Sequence, residues 1–375
     1  MKTKKLSQSL FFVVLTILSL ACSSLAGLSP TATPVPTATF TPTPLPTSTP
    51  TQAFPVSADG SPIVASVGDL SLSNELYDHL SGMVTFYPMQ GWDIEALDYL
   101  ISMVEPDTGV GFYITITNTG YELDPDAYTA FRNNMEEFYT FRDGYEEISR
   151  NSNESINLHV TEKIYNQDNA QIYASSTYQQ FDNVILTIEM IGGIDFALTN
   201  GPHIIMYNSF TQTITFDSQK ASELPLYQYT WTYRALDVNA SLVVPFAWSA
   251  QFDDTSNFET ASFFSPDYNA ATQFVIFKNT PKYNQQQGFD SAMVWLNAAH
   301  SNNANDVQPA DVSEIEPGLY LFGWSSQSGA TIGAMTYDIR IPNKLILVVS
   351  VVNEDFLDVY IDVLGETGDS YILEQ

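Results

Sequence analysis

The sequence is short of cysteine and of basic residues. One cysteine stands among 375 residues, at position 22. A single thiol closes no disulfide within the chain and builds no cysteine-rich zinc or iron–sulfur centre. Lysine and arginine number 13 against 43 acidic residues, a formal net charge of −30. Three of those bases, Lys2, Lys4 and Lys5, lie at the extreme N-terminus, and no acid precedes Asp59. A body this acidic repels phosphate backbones, which excludes nucleic acid as a partner. It repels anionic lipid headgroups as well, so membrane contact calls for an anchor. Catalytic signatures are missing too. There is no HExxH, no G-x-S-x-G elbow, no phosphate-binding glycine loop and no D-x-[DN]-x-[DN]-G calcium loop. The four histidines, His79, His159, His203 and His300, stand apart from one another, and His300 continues an apolar helical face. No cofactor or metal is therefore expected, and the balance is against an enzyme.

What is present begins with a leader. The three lysines precede the apolar run LFFVVLTILSLA over residues 10–21. That run is too short for a membrane span, which needs about 20 residues, and it fits a secretory signal peptide. It ends Leu18-Ser19-Leu20-Ala21-Cys22. This resembles the lipobox of bacterial lipoproteins, with Ser19 in place of the more usual leucine. The resemblance implies cleavage before Cys22 and a lipid on Cys22, hence an extracytoplasmic protein held to the cell membrane by its anchor. Residues 29–55 then alternate Thr and Pro almost without charge. Such a stretch favours extended polyproline II at about 3.1 Å per residue, a spacer reaching on the order of 90 Å.

The remainder carries a faint internal repeat. Residues 81–88 (SGMVTFYP) lead to Gly91-Trp92, and residues 239–245 (NASLVVP) lead to Ala247-Trp248. An aromatic strand ending in asparagine follows in each half, at 112–118 and 274–279. A helix comes next. In the first half Asp124 caps it, Pro125 suits its first turn, Tyr128, Phe131, Met135 and Phe138 form its apolar face, and Gly144 closes it. In the second half Phe289, Met293, Leu296 and His300 step in the same way. A polar loop follows each helix. Strands are then expected at 171–178 and 184–191, and at 318–325, 330–340 and 344–352, with short closing helices at 202–211 and 354–365. The fold class is thus α+β, with two tandem repeats, each an antiparallel sheet flanked by helices. The organisation reads as residues 1–21 signal peptide, 22–54 lipidated cysteine and tether, 55–212 repeat one and 213–375 repeat two.

The Tyr87-Pro88, Gly91-Trp92 opening, the middle helix and the late hairpins with a terminal helix resemble the PsbP-like fold over 70–211 and 230–375. The resemblance implies a layered sandwich used for binding or assembly. It transfers no functional residue, because the matched positions are structural.

Among candidate site residues, Asp355, Asp358 and Asp362 step by three and four along one side of the last helix. They read as a solvated face or as a dock for a basic protein partner in the cell envelope. Trp92 and Trp248 hold matching places in the repeat and read as core. Trp231, Trp295 and Trp324 are free to line a groove. The expected function is a lipid-anchored extracytoplasmic binding or assembly module without catalytic activity. The alternative is a surface glycan-binding or carbohydrate-active protein, since acids and aromatics abound.

Overall fold

The structure, a computed structural model, describes residues 52–53, 63–196, 201–278, 280–300, 306–328 and 330–374. The signal peptide, Cys22 and all of the tether but Gln52–Ala53 lie outside the described residues. The described chain divides into two compact units. One runs to Thr230 and takes in Pro245–Ala247; the other comprises Trp231–Val244 and the chain from Trp248 onward. Both are α+β, built on antiparallel sheets. No described helix is long and apolar enough to cross a membrane.

The main sheet of the first unit has seven strands: β1 (Asp93–Leu97), β2 (Leu100–Val104), β3 (Gly111–Asn118), β4 (Glu146–Asn153), β5 (Leu158–Gln167), β6 (Ala170–Phe181) and β7 (Val184–Gly193). They lie in the order β1-β2-β3-β7-β6-β5-β4. Helix α1 (Pro125–Thr140) carries the chain from the central strand β3 to the far edge at β4, and helix α2 (Pro202–Thr213) follows β7. The start of α1 is fixed locally. The Asp124 side chain accepts from the backbone N–H groups of Asp126 and Ala127, and Pro125 fills the first turn, where no donor is needed.

The two faces of this sheet differ in chemistry. One face presents Phe112, Ile114, Ile116, Leu186, Ile188 and Met190, and α2 closes it with Met206, Tyr207 and Phe210. Trp92 belongs to this apolar core. On the other face the cross-strand register aligns Thr115 with Thr187, Thr187 with Tyr178, Ser176 with Glu189 and Thr161, and Lys163 with Ala174. Helix α1 covers that polar face.

The structure departs from the sequence reading in three places here. Residues 146–167, which read as polar loop, contain the whole of strands β4 and β5. The buried face of α1 is not the apolar stripe alone: Arg132, Glu136 and Tyr139 are buried with Tyr128, Phe131 and Met135, whereas Phe138 is 43% exposed. Strand β5 and the inner face of α1 share one cause, whereas β4 is an exposed edge strand paired to β5. Polar side chains on β5 and α1 satisfy one another, so each is buried where apolar periodicity gives no signal. The helix also stops at Thr140, and Gly144, with φ +65°, serves the turn into β4 instead.

The main sheet of the second unit contains β8 (Ser249–Asp254), β9 (Phe258–Phe264), β10 (Ala270–Phe277), β11 (Val307–Pro309), β12 (Leu319–Ser326), β13 (Thr331–Asp338) and β14 (Leu345–Asn353). Their order is β8-β9-β10-β14-β13-β12-β11, the same path as in the first unit. Helix α3 (Gln285–His300) joins β10 to β11, and α4 (Leu357–Asp369) follows β14. Strand β14 reads LILVVSVVN because it is buried on both faces. Under α3 lie Val275, Phe322, Trp324, Met335, Tyr337, Leu347 and Val349. On the opposite side α4 sets Leu357 and Ile361 against Leu321 and Ala334.

Candidate functional site

The layer beneath α1 is a chain of buried polar groups. Arg132, Glu136 and Tyr139 occur at spacings of four and three, which puts them on one side of the helix. From β5, the fully buried Lys163 places its Nζ 2.5 Å from Glu136 Oε2 and 2.6 Å from Ser176 Oγ on β6. The Ser176 hydroxyl donates to Glu189 Oε1 on β7 at 2.5 Å, and the Tyr139 hydroxyl donates to the same oxygen at 2.9 Å. At the other end Tyr178 donates to Glu136 Oε1 at 2.6 Å. The Lys163 ammonium also lies 3.9 Å from the centre of the Tyr139 ring, within cation–π range. The sequence Tyr178–Glu136–Lys163–Ser176–Glu189–Tyr139 is thus continuous.

Burial sets the electrostatics. It pushes the Lys163 ammonium down from its ordinary range, against the opposing pull of Glu136 and Glu189. It raises the phenols of Tyr178 and Tyr139, and the neighbouring glutamates add to the rise. Tyr165 is pushed up to about 12, mainly by burial. These phenols remain fixed donors at physiological pH. Only Glu189 of the two carboxylates reaches the surface: it is half-buried, whereas Glu136 is 3% exposed. Arg132 flanks the layer, its guanidinium 5.1 Å from the Tyr128 ring centre and its Nη2 donating to Thr129 Oγ1 at 3.1 Å.

The equivalent layer of the second unit is apolar. There the strands matching β5, β6 and β7 in order, namely β12, β13 and β14, offer Phe322, Trp324, Met335, Tyr337, Leu347 and Val349 to α3. His300 at the end of α3 sets its ring 5.2 Å from Trp324 and its Nε2 3.2 Å from Gln273 Oε1. It packs in this layer, and burial pulls its pKa down to about 4.

The residues singled out from sequence fall elsewhere. Cys22 lies outside the described residues. Asp355 sits in the 3₁₀ turn Glu354–Phe356, and Asp358 and Asp362 on α4; all three are exposed, and Glu366 and Asp369 extend the stripe. The inner side of α4 is held by Tyr360, Val363 and Leu364, with the Tyr360 hydroxyl donating to Asp267 Oδ1 at 2.9 Å. Trp92 and Trp248 are buried. Trp324, free from sequence to line a groove, is fully buried, and Trp231 and Trp295 are half-buried. Among the described residues no group of three or more His, Cys, Asp or Glu side chains is placed to hold a metal ion.

Sequence reasoning missed the α1 layer, although a signal was available. Residues 55–212 hold only four bases, Arg132, Arg142, Arg150 and Lys163. All four engage α1: Lys163 through Glu136, Arg132 from within, Arg142 over the Phe138 ring at 4.3 Å, and Arg150 through Asn133 Oδ1 at 3.5 Å.

No family model and no curated protein matches the chain. Among solved structures, part of the chain is similar to cyanobacterial PsbP (CyanoP) from Synechocystis sp. PCC 6803, at 12% identity and TM-score 0.31, covering 39% of this chain and 93% of that one. It is also similar to the Ran-binding protein Mog1p of Saccharomyces cerevisiae, at 10% identity and TM-score 0.32, covering 40% and 99%. A third similar structure is LpqN of Mycobacterium tuberculosis, described as involved in cell envelope biogenesis, at 10% identity and TM-score 0.28, covering 40% and 92%.

Proposed function

We propose that the protein is a lipid-anchored, extracytoplasmic binding or assembly module without catalytic activity, and that its two units are tandem copies of one PsbP-like fold. The leader, Cys22 and the Thr/Pro-rich tether support the location. The shared strand path supports the tandem relation. The observation that carries the non-catalytic reading is burial. Lys163, Glu136 and Tyr178 form the densest set of titratable groups around α1, and each is at most 3% exposed, so none can meet a substrate. Their order suits a rigid scaffold that holds its surface in one shape. The stripe of Asp355, Asp358 and Asp362 is our assignment for the contact with a basic protein partner.

One experiment tests the whole reading. The full chain, Cys22→Ser and Asp358→Lys are expressed in a bacterial host, and the membranes are washed with carbonate and crosslinked. The unchanged chain stays with the membrane and Cys22→Ser is released, while Asp358→Lys weakens a salt-sensitive crosslink to a protein neighbour. Retention of Cys22→Ser on washed membranes places the anchor elsewhere. Turnover of a hydrolase substrate that one carboxylate substitution abolishes ends the non-catalytic reading.

A further inference from the structure

The outer edges of the two main sheets are not alike. Strand β4 carries an extra residue against β5, a bulge between the pairs Ser149–Glu162 and Glu147–Lys163. Strand β11 has three residues and ends in Pro309, and the segment Ser313–Glu316 pairs with the rest of β12. Bulges, short strands and proline keep an edge from taking up another strand. Strands β1 and β8, which hold the same place in the strand path, have neither bulge nor proline. Strand β8 pairs with β9 through all six of its residues, and its other side pairs with no described strand. Its residues Gln251, Phe252, Asp253 and Asp254 are exposed. Phe252 is 59% exposed and still held in place: its ring stacks on Tyr233 at 5.9 Å and meets Phe263 edge-on at 6.3 Å. Tyr233, on the strand Thr230–Ala235, donates to Glu259 Oε1 on β9 at 3.4 Å. Strand alternation puts Phe252 and Asp254 on this face of the sheet and Asp253 on the other. Asp254 and Glu259 share one cation, Lys278, and among the described residues no basic group forms an ion pair with Asp253.

We infer that the open edge of β8 takes up an extended segment of a partner protein as an added antiparallel strand, with basic residues opposite Asp253 and Asp254 and an apolar residue opposite Phe252. Main-chain pairing supplies the affinity in this mode, and alternate side chains supply the specificity. Opposite charges and an aromatic facing a β-branched residue are both favourable cross-strand pairs. Two other occupants fit less well. Residues 29–55 of this chain alternate Thr and Pro, and proline has no N–H to give to a neighbouring strand. A second copy brings a formal charge of −30 against the same charge. A basic segment meets the charge of the edge instead, and the attraction steers its approach. This inference deepens the binding-module reading and rests on it.

The peptide acetyl-Lys-Lys-Val-Thr-Val-Thr-amide tests it. Laid antiparallel to β8, its lysines fall opposite Asp254 and Asp253 and its first valine opposite Phe252. Anisotropy of the dye-labelled peptide rises saturably with the full chain, and amide hydrogen exchange slows over residues 249–254. The counterpart with glutamate in place of both lysines does not bind. Phe252→Lys weakens binding about tenfold, because it removes the apolar pair and sets a lysine beside two others. Asp253→Lys weakens it as well, so the test stands if one variant fails to fold. Val294→Lys, the same kind of charge change at an exposed position on α3, leaves it unchanged. Two N-methylated peptides separate strand pairing from simple charge attraction. One is methylated at its first, third and fifth residues, the other at its second, fourth and sixth. Only the set whose N–H groups face β8 loses binding on methylation. Equal binding by the two methylated peptides, binding of the glutamate peptide, equal weakening by Val294→Lys, or no saturable binding overturns the site. Anchoring and crosslinking are read separately, so failure here leaves them standing, and loss of membrane retention leaves the peptide titration standing.

Discussion

Removing Lys163 should cost the first unit a large part of its stability, and removing its partner as well should restore much of that cost. Lys163 makes two short charge-assisted hydrogen bonds, to Glu136 and Ser176, with no solvent contact. In Lys163→Met the Glu136 carboxylate keeps only the Tyr178 hydroxyl as a donor, and it stays buried. Breaking a buried ion pair from one side costs about 3–5 kcal/mol, because the remaining charge is left uncompensated. Glu136→Leu should cost a similar amount, since the buried Lys163 ammonium then loses its paired carboxylate and keeps only the Ser176 hydroxyl and the Tyr139 ring in contact. The double variant removes both charges and fills the layer with apolar volume, as the second unit does beneath α3. Its cost should fall well below that of either single substitution, a coupling of more than about 3 kcal/mol. With total domain stabilities of about 5–15 kcal/mol, each single variant should be marginal and the double robust. Urea titration followed by fluorine NMR of 5-fluorotryptophan protein reads this directly. Of the five tryptophans only Trp92 lies in the first unit, so its resonance reports that unit alone. Additive single effects, within about 0.5 kcal/mol, would falsify the claim that the layer acts as a connected set.

Two further outcomes concern the second unit. Burial holds the His300 pKa at about 4, below its ordinary 6.5. Between those values the unfolded chain binds a proton that the folded chain refuses, so stability falls as pH drops from 6.5 towards 4, by up to about 3 kcal/mol. His300→Phe should flatten that part of the profile and leave the profile above pH 7 parallel; curves parallel throughout would contradict the assignment. Gly333 on β13 faces the backbone of β14 so closely that a Cβ would overlap the Ser350 carbonyl oxygen. Gly333→Ala should therefore cost about 3 kcal/mol by overpacking against a backbone that cannot move. Gly368→Ala, whose Cβ would meet only the Ser350 Oγ at 4.0 Å, should be neutral or slightly stabilising, and equal shifts in melting temperature for the two would refute the steric account.

How much of this was legible in the sequence follows the type of burial. The strands β12, β13 and β14 fall within a residue or two of their expected positions, because their apolar runs are the signal that periodicity detects. The start of α1 was legible because Asp124 and Pro125 act locally. Strands β4 and β5 were not, since EEISRNSN and LHVTEKIYNQ are rich in residues usually found in loops. Lys163 and Glu136 lie 27 residues apart, and neither has a reason to be buried until the other is in place. The same holds for Arg132 and Tyr139, which lost the expected inner face of α1 to Phe138 on apolar counting alone. In the last helix the acidic stripe and its apolar back were both readable, because solvent and core divide a helix by residue type.

The position of the α1 layer along the chain has a consequence for the order of assembly. All six of its members lie between Glu136 and Glu189, on elements that follow one another directly from α1 to β7. The apolar face of the same sheet waits for α2, which starts only at Pro202. A chain that emerges N-terminus first can therefore bring its ionic layer together while the hydrophobic side is still open. Short loop closures favour early formation, so the charged side sets the strand register and the greasy side arrives at a sheet already aligned.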